Sequence, residues 1–137
     1  MHALHGMRTQ VLAGILIMAC LLSVQVQAHD VEKELFLVVE KDEVSASNTT
    51  LGRFDRLELG PREKIVDYKV ANAVAVVVTN RRFAAYGVLH GGWNSRRTHP
   101  EERLVSLEVA DYSATVLTSN RILNYSGRSG AWSETKR

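Results

Sequence analysis

The chain has little of the chemistry that most enzymes and nucleic-acid-binding proteins use. It contains one cysteine and two prolines among 137 residues, and its formal net charge at pH 7 is only +2. A balance this close to neutral gives no electrostatic basis for binding nucleic acid or a membrane surface. No helical period of apolar side chains recurs after residue 28, which excludes a fold built on amphipathic helices.

The first 28 residues have the pattern of an export signal. Basic residues precede an apolar stretch at 11–22, which is too short to span a membrane comfortably, and Ala28 ends a small-residue cleavage site. We therefore expect a signal peptide at 1–28, one mature domain at 29–137 and a periplasmic or extracellular location. A lipid-modified Cys20 is the alternative form of processing. Cleavage after Ala28 leaves no cysteine, so disulfides and thiol chemistry are excluded.

The informative feature of the chain is a repeat with a spacing of 39 residues. Residues 61–98 and 100–137 align without a gap, and twelve of the 38 aligned positions are identical, where chance would give about two. A weaker, partial copy at 29–60 places Leu35–Val39 on Val74–Val78. A unit this short cannot bury its own apolar face, so the units must pack on one another. The identical pairs include Pro61/Pro100, Glu63/Glu102, Thr79/Thr118, Arg82/Arg121, Tyr86/Tyr125, Gly91/Gly130 and Trp93/Trp132.

Each unit predicts four short strands. The first, at 66–70 and 105–109, alternates apolar and polar side chains, which is typical of a strand with one buried face. The second, at 74–78, 114–117 and 35–39, is a continuous apolar run, which is typical of a strand buried on both faces.

Short polar connections separate the second strand from the third. Two residues that tolerate tight turns follow each apolar run, and they predict a hairpin. A glycine-containing loop then leads to a fourth strand. The turns are Lys41-Asp42, Asn80-Arg81 and Ser119-Asn120; the third strands are 43–47, 82–86 and 121–125; the fourth strands open at Phe54, Trp93 and Trp132.

The sequence therefore predicts an all-β domain of three antiparallel repeats. Four-stranded units with short connections resemble β-propeller blades, whereas three units of about 40 residues also suit a β-trefoil. The first unit lacks its opening strand unless 23–27 supplies it, and cleavage after Ala28 removes that segment. Eleven strands would then remain, with an exposed strand edge that invites a partner strand or a second copy of the chain.

Repeated aromatic residues are the candidate ligand-binding positions. Phe54, Trp93 and Trp132 share one repeat position, and Tyr86 and Tyr125 share another. Aromatic rings could form platforms for a sugar, one in each unit, or could be the residues through which neighbouring units pack. The second interpretation is the more usual one for periodic positions in a small core.

Charged residues offer fewer candidates. Arg82 and Arg121 share a position that holds Glu43 in the first unit, which argues against a shared anion site. It favours a structural role, such as stacking on an aromatic neighbour or pairing with Glu63 or Glu102.

Histidine provides one remote metal hypothesis. Cleavage would make His29 the amino terminus, which could bind copper together with His90, although the spacing matches no established metal motif.

No catalytic constellation is visible, and no cofactor is implied. We expect a non-enzymatic exported module that binds a protein or an envelope component. A small carbohydrate-binding repeat protein is the alternative, and a copper-binding protein is the remote one. We expect no nucleic-acid partner and no membrane span after processing.

Overall fold

The computed structural model describes residues 33–137, and within that range the chain forms eleven β-strands and no helix. The strands belong to three antiparallel sheets, each a simple meander in chain order. The first sheet contains β1 (Leu35–Val39), β2 (Glu43–Asn48) and β3 (Arg53–Glu58); the second contains β4 (Ile65–Val70), β5 (Val74–Thr79), β6 (Arg82–Gly87) and β7 (Trp93–Arg97); the third contains β8 (Leu104–Val109), β9 (Ser113–Thr118), β10 (Arg121–Ser126) and β11 (Ala131–Lys136).

The predicted repeat of antiparallel β-units is confirmed. Each predicted strand lies within two residues of an observed one, and the two-residue turns fall where the polar pairs stand. The described part of the first unit begins at its second strand, so the first sheet has three strands where the others have four. The signal-peptide prediction, the possible strand at 23–27 and His29 lie outside the described residues.

The core consists of the two junctions between successive sheets. On one side of the second sheet, Ala75 and Tyr86 pack with Leu35 of the first sheet. On its other side, Val74 and Val76 pack with Val116 of the third sheet. All six residues of β5 are buried, as its continuous apolar run predicts. The second sheet therefore has no free face.

Within each junction the sheets meet in the same order. We call the face of a sheet that turns toward the following sheet its forward face and the opposite one its rear face. The forward face carries Leu35 and Leu37 in the first sheet and Val74 and Val76 in the second, which are repeat-equivalent pairs. Each junction thus stacks a forward face on a rear face.

The prediction of a buried apolar face along the first strand was wrong at Val66 and Val105, and also at Tyr68, which is 47% exposed. A register shift between Ile65 and Asp67, and another between Leu104 and Ser106, marks a bulge at Val66 and at Val105. A bulged residue has no cross-strand partner. Both valines consequently point to solvent.

Equivalent glycines shape the turns before the last strand of each unit. Gly52, Gly91 and Gly130 have φ values of 66°, 70° and 70°, a region that side-chain-bearing residues rarely adopt. A Cβ atom at Gly130 would also lie 2.5 Å from the His90 ring. Glycine therefore both permits the turn and lets adjacent units approach.

In the part of the chain that the structure describes, no helix is long and apolar enough to cross a membrane.

Candidate functional site

The predicted platform residues lie at the junctions between sheets. Tyr86 and Trp93 stack at 5.3 Å between ring centroids, and Tyr125 and Trp132 stack at the same separation. Both tyrosines are fully buried, and Trp132 is only 6% exposed. Phe54 is 69% exposed, because no described sheet precedes the first one. Ligand binding at these five positions stays a prediction.

Each tryptophan also ties its sheet to the preceding one. The Trp93 indole N–H donates to the Asp55 carbonyl oxygen at 3.1 Å, and the Trp132 indole N–H donates to the Asn94 carbonyl oxygen at 2.9 Å. Asp55 and Asn94 are repeat-equivalent residues. The same hydrogen bond therefore recurs at both junctions.

The two buried tyrosines differ in how their hydroxyl groups are satisfied. Tyr86 donates to the Asp55 carboxylate and accepts from the Asn48 amide at 3.0 Å. Burial and the Asp55 charge raise the pKa of Tyr86. The hydroxyl of Tyr125 has no hydrogen-bond partner within the described chain, since Gly87 stands where the first unit has Asn48. Burial raises the pKa of Tyr125 to about 12.

A second repeated device is an arginine staple across each junction. Arg121 donates to both carboxylate oxygens of Glu102, at 2.7 and 2.9 Å, and to the carbonyl oxygen of Arg97 at 2.6 Å. Arg97 belongs to the last strand of the preceding sheet. Arg82 makes the equivalent bonds to Glu63 and to the Glu58 carbonyl oxygen. The predicted pairing of both arginines with these glutamates is confirmed.

The staple lowers the pKa of its glutamate. Burial would raise the pKa of Glu102, but hydrogen bonds from Arg121, from the His99 backbone and from the Thr118 hydroxyl outweigh it and hold the value at about 2. Three donors to one carboxylate favour its charged form strongly. The group is locked as an ion pair, which suits a structural role and not proton transfer near neutral pH.

Of the two histidines in the copper hypothesis, only His90 lies within the described residues. His90 is exposed on the turn before β7, beside the backbone of Gly130. No group of three or more His, Cys, Asp or Glu side chains with metal-binding geometry occurs within residues 33–137. A copper site that includes His29 stays a prediction.

Within residues 33–137, β1 pairs only with β2, so the first sheet has a free strand edge. Backbone bonds join Glu40 to Glu43 and Thr49 to Glu34, and hydrogen-bonded pairs alternate along an antiparallel ladder. Leu37 and Val39 therefore direct their N–H and C=O groups away from β2. In the other sheets the equivalent groups face β4 and β8.

The three-stranded form of the first sheet in the described chain also leaves an aromatic residue of the second sheet exposed. Tyr68 on β4 and Leu107 on β8 are repeat-equivalent and lie on the rear faces of their sheets. Leu107, which β4 approaches, is 3% exposed, whereas Tyr68 is 47% exposed. By analogy with β4, which lies beside Leu107, a strand added at the free edge of β1 would lie beside Tyr68, and we call this position the strand slot.

The rear face of the first sheet carries exposed apolar residues that no other described sheet covers, together with the charged Arg56. Phe36 and Val38 are 47% and 50% exposed. Their repeat equivalents, Ala75 and Val77 in the second sheet, are fully buried under the first sheet. Phe54 pairs with Ser47 on this same face. These residues occupy positions that pack on a preceding sheet elsewhere in the chain.

Comparison with known proteins identifies no family. No family model matches the chain, and no curated protein matches it. One similar solved structure is a chain in an S. cerevisiae complex of Dbp5 bound to Nup159, Gle1, IP6 and ADP. The identity is 13%, the match covers 77% of this chain and 28% of that chain, and the TM-score is 0.43. A likeness of that size carries no functional inference.

Part of this site had a signal in the sequence. The staple residues are identical in the last two units, so the repeat predicts that they have the same role in both. The strand slot was predicted only as an exposed edge. The contribution of Tyr68 was missed, because its exposure depends on the described part of the neighbouring sheet having three strands instead of four.

Proposed function

We propose that this protein is an exported, non-enzymatic β-repeat module that binds a partner polypeptide along the free edge of β1. The observation that carries the proposal is the strand slot. Within residues 33–137, Leu37 and Val39 have backbone groups that pair with no strand, and β4, which carries the exposed Tyr68, contacts β1. An unpaired edge is a template for an added strand.

The chain itself indicates what the slot would accept. The equivalent slots of the second and third sheets are filled by β4 and β8, whose sequences at 65–70 and 104–109 begin and end with aliphatic residues. Each has a charged residue next to last, and β4 has a second one at Asp67. A partner strand of about six residues with this pattern would add antiparallel to β1. Backbone bonds would supply affinity, and side-chain contact with Tyr68 would supply selectivity.

The sheets themselves are proposed to be blade-like units. Successive sheets stack face to face, and their first strands β4 and β8 approach each other, an arrangement that a propeller ring uses around its axis. We expect the module to work in the periplasm or outside the cell, in line with the predicted export signal. The described part of the chain then acts as a scaffold for the slot.

A peptide-binding experiment tests the slot directly. Labelled peptides with the sequences of residues 64–71 and 103–110 are titrated with protein recovered from cells that express the full chain, and fluorescence anisotropy reports binding. We expect saturable binding of one peptide per chain and weaker binding of a scrambled peptide. An absence of binding by both native sequences would contradict the proposal.

Two variants at one position separate edge pairing from side-chain effects. Leu37→Pro removes an outward N–H, while Leu37→Ala removes the same core side chain and keeps that N–H. We expect Leu37→Ala to retain peptide binding and Leu37→Pro to lose it. Equal loss in both variants would mean that the edge does not carry the interaction.

A further inference from the structure

We infer that two copies of this chain associate head to tail, with the forward face of the third sheet of each copy stacked on the rear face of the first sheet of the other. The inference is independent of the proposed strand slot, because it concerns the flat faces of the sheets and not the edge of β1. The partner is a second copy of this chain.

The stacking order within the chain is the first support. Both internal junctions place a forward face on a rear face, and equivalent residues make the contacts. Two faces remain uncovered in the described chain: the rear face of the first sheet and the forward face of the third. They are of opposite kind, so a second copy can continue the same rule at both ends.

The side chains on the two free faces are compatible. The rear face of the first sheet presents Phe36, Val38 and Phe54, with small serines between them and the charged Arg56 beside Ser45. The forward face of the third sheet presents two half-buried apolar residues, Leu117 and Ile122. Its other residues are small or polar and include Glu108, Ser113, Thr115, Asn124, Ser126 and Ser133. A junction of this composition would be weaker than the internal ones and reversible.

Buried area favours the head-to-tail arrangement over a contact between two rear faces. Three strands about 4.8 Å apart and about six residues long cover roughly 300 Å² of flat area. Closing two junctions covers four faces, or roughly 1,200 Å², which reaches the lower limit of stable interfaces. Pairing two rear faces covers only half of that. Closure also gives a two-fold symmetric ring, which ends association at two copies.

The repeat predicts a variant that strengthens the junction. Trp93 and Trp132 donate to carbonyl oxygens of the preceding sheet, and Phe54 stands at their position without an N–H group. In the head-to-tail pair, the equivalent acceptor is the Ser133 carbonyl oxygen of the second copy. Phe54→Trp should therefore tighten association severalfold and shift tryptophan emission to the blue as concentration rises.

Light scattering coupled to size exclusion tests the inference on protein recovered after expression of the full chain. We expect twice the single-chain mass, a lower average mass on dilution, and a single-chain mass for Val38→Glu. Val66→Glu is the matched control: this bulged valine is similarly exposed but lies in no junction, so it should leave the mass doubled. A single-chain mass at every concentration up to about 0.1 mM would overturn the inference.

A forward-face variant identifies which faces meet. Asn124→Lys places a charge on the forward face of the third sheet, where Asn124 is exposed. Head-to-tail association requires that this variant lose the doubled mass as Val38→Glu does. A doubled mass that survives Asn124→Lys but not Val38→Glu would mean that two rear faces pair, and would refute the inference.

Discussion

The two buried tyrosines provide a matched test of how the junctions are stabilised. Removing the hydroxyl of Tyr125 should increase stability, while removing that of Tyr86 should decrease it. The two residues are repeat-equivalent, buried to the same extent and stacked on equivalent tryptophans at 5.3 Å. The substitution to phenylalanine changes only one oxygen atom in each case. The difference between the variants therefore reports on hydrogen bonding alone.

The expected magnitudes follow from the partners of each hydroxyl group. Tyr86 donates to a carboxylate and accepts from Asn48, and a hydrogen bond to a charged group contributes about 1.5–3 kcal/mol. Tyr125 makes no hydrogen bond within the described chain, and an unsatisfied buried polar group costs about 1–3 kcal/mol. Tyr86→Phe should lower the free energy of unfolding by about 2 kcal/mol, and Tyr125→Phe should raise it by about 1 kcal/mol.

Urea unfolding followed by tryptophan fluorescence measures both effects. The midpoint should fall for Tyr86→Phe and rise for Tyr125→Phe, with the slope of the transition unchanged, because neither variant alters the surface exposed on unfolding. A loss of more than about 1 kcal/mol in Tyr125→Phe would refute the reasoning. It would show that a partner such as a buried water satisfies that hydroxyl group.

Three further predictions concern the staples and the aromatic positions. The pKa of Glu102 falls from 4.5 to about 2 on folding. Its charged form therefore contributes roughly 3 kcal/mol to the free energy of unfolding above pH 4.5, and this contribution is lost as the pH falls through 2. Urea unfolding between pH 2 and pH 6 should show the loss, and the free energy of unfolding of Glu102→Gln should depend less on pH. Arg121→Lys should lower the free energy of unfolding by about 3 kcal/mol, since it breaks a buried bidentate pair. Arg82→Lys should lower it less, because the Arg82 side chain is 26% exposed. Equal losses in the two variants would contradict this order. In dilute protein, where the inferred pair of chains has dissociated, Trp132→Ala should lower the free energy of unfolding by about 3–5 kcal/mol. Phe54→Ala should change it by less than about 0.5 kcal/mol under the same conditions, and thermal unfolding by circular dichroism would record both.

Strand positions were predictable because the repeat supplies each segment twice or more. The apolar run at 74–78 could by itself be a buried strand or part of a helix, but the repeat supplies a second apolar run of the same length at 35–39. Tight polar turns then fixed the meander. The bulges at Val66 and Val105 were not predictable. Apolar and polar residues alternate through both positions, so the pattern gives no sign of a one-residue register shift.

The candidate site was less predictable than the fold. A repeat position states that two residues share an environment, and it does not state whether that environment is covered. Tyr68 and Leu107 share a position and differ more than tenfold in exposure, because β4 lies beside Leu107 and no strand of the described chain lies in the equivalent place beside Tyr68. Phe54 and Trp132 also differ in exposure, because a described sheet precedes the third sheet and none precedes the first. Exposure in a stacked array depends on neighbours, which a single-unit pattern does not contain.

The first unit differs from the other two units mainly at positions whose side chains contact the preceding sheet. Glu43 replaces the staple arginine, Ser47 replaces the buried tyrosine and Phe54 replaces the tryptophan. Each of the replaced groups bonds or packs to a preceding sheet in the later units. The first unit thus keeps apolar side chains on its rear face but lacks the donors that hold a covalently linked neighbour. A face of this kind suits reversible contact with a separate chain better than a permanent junction.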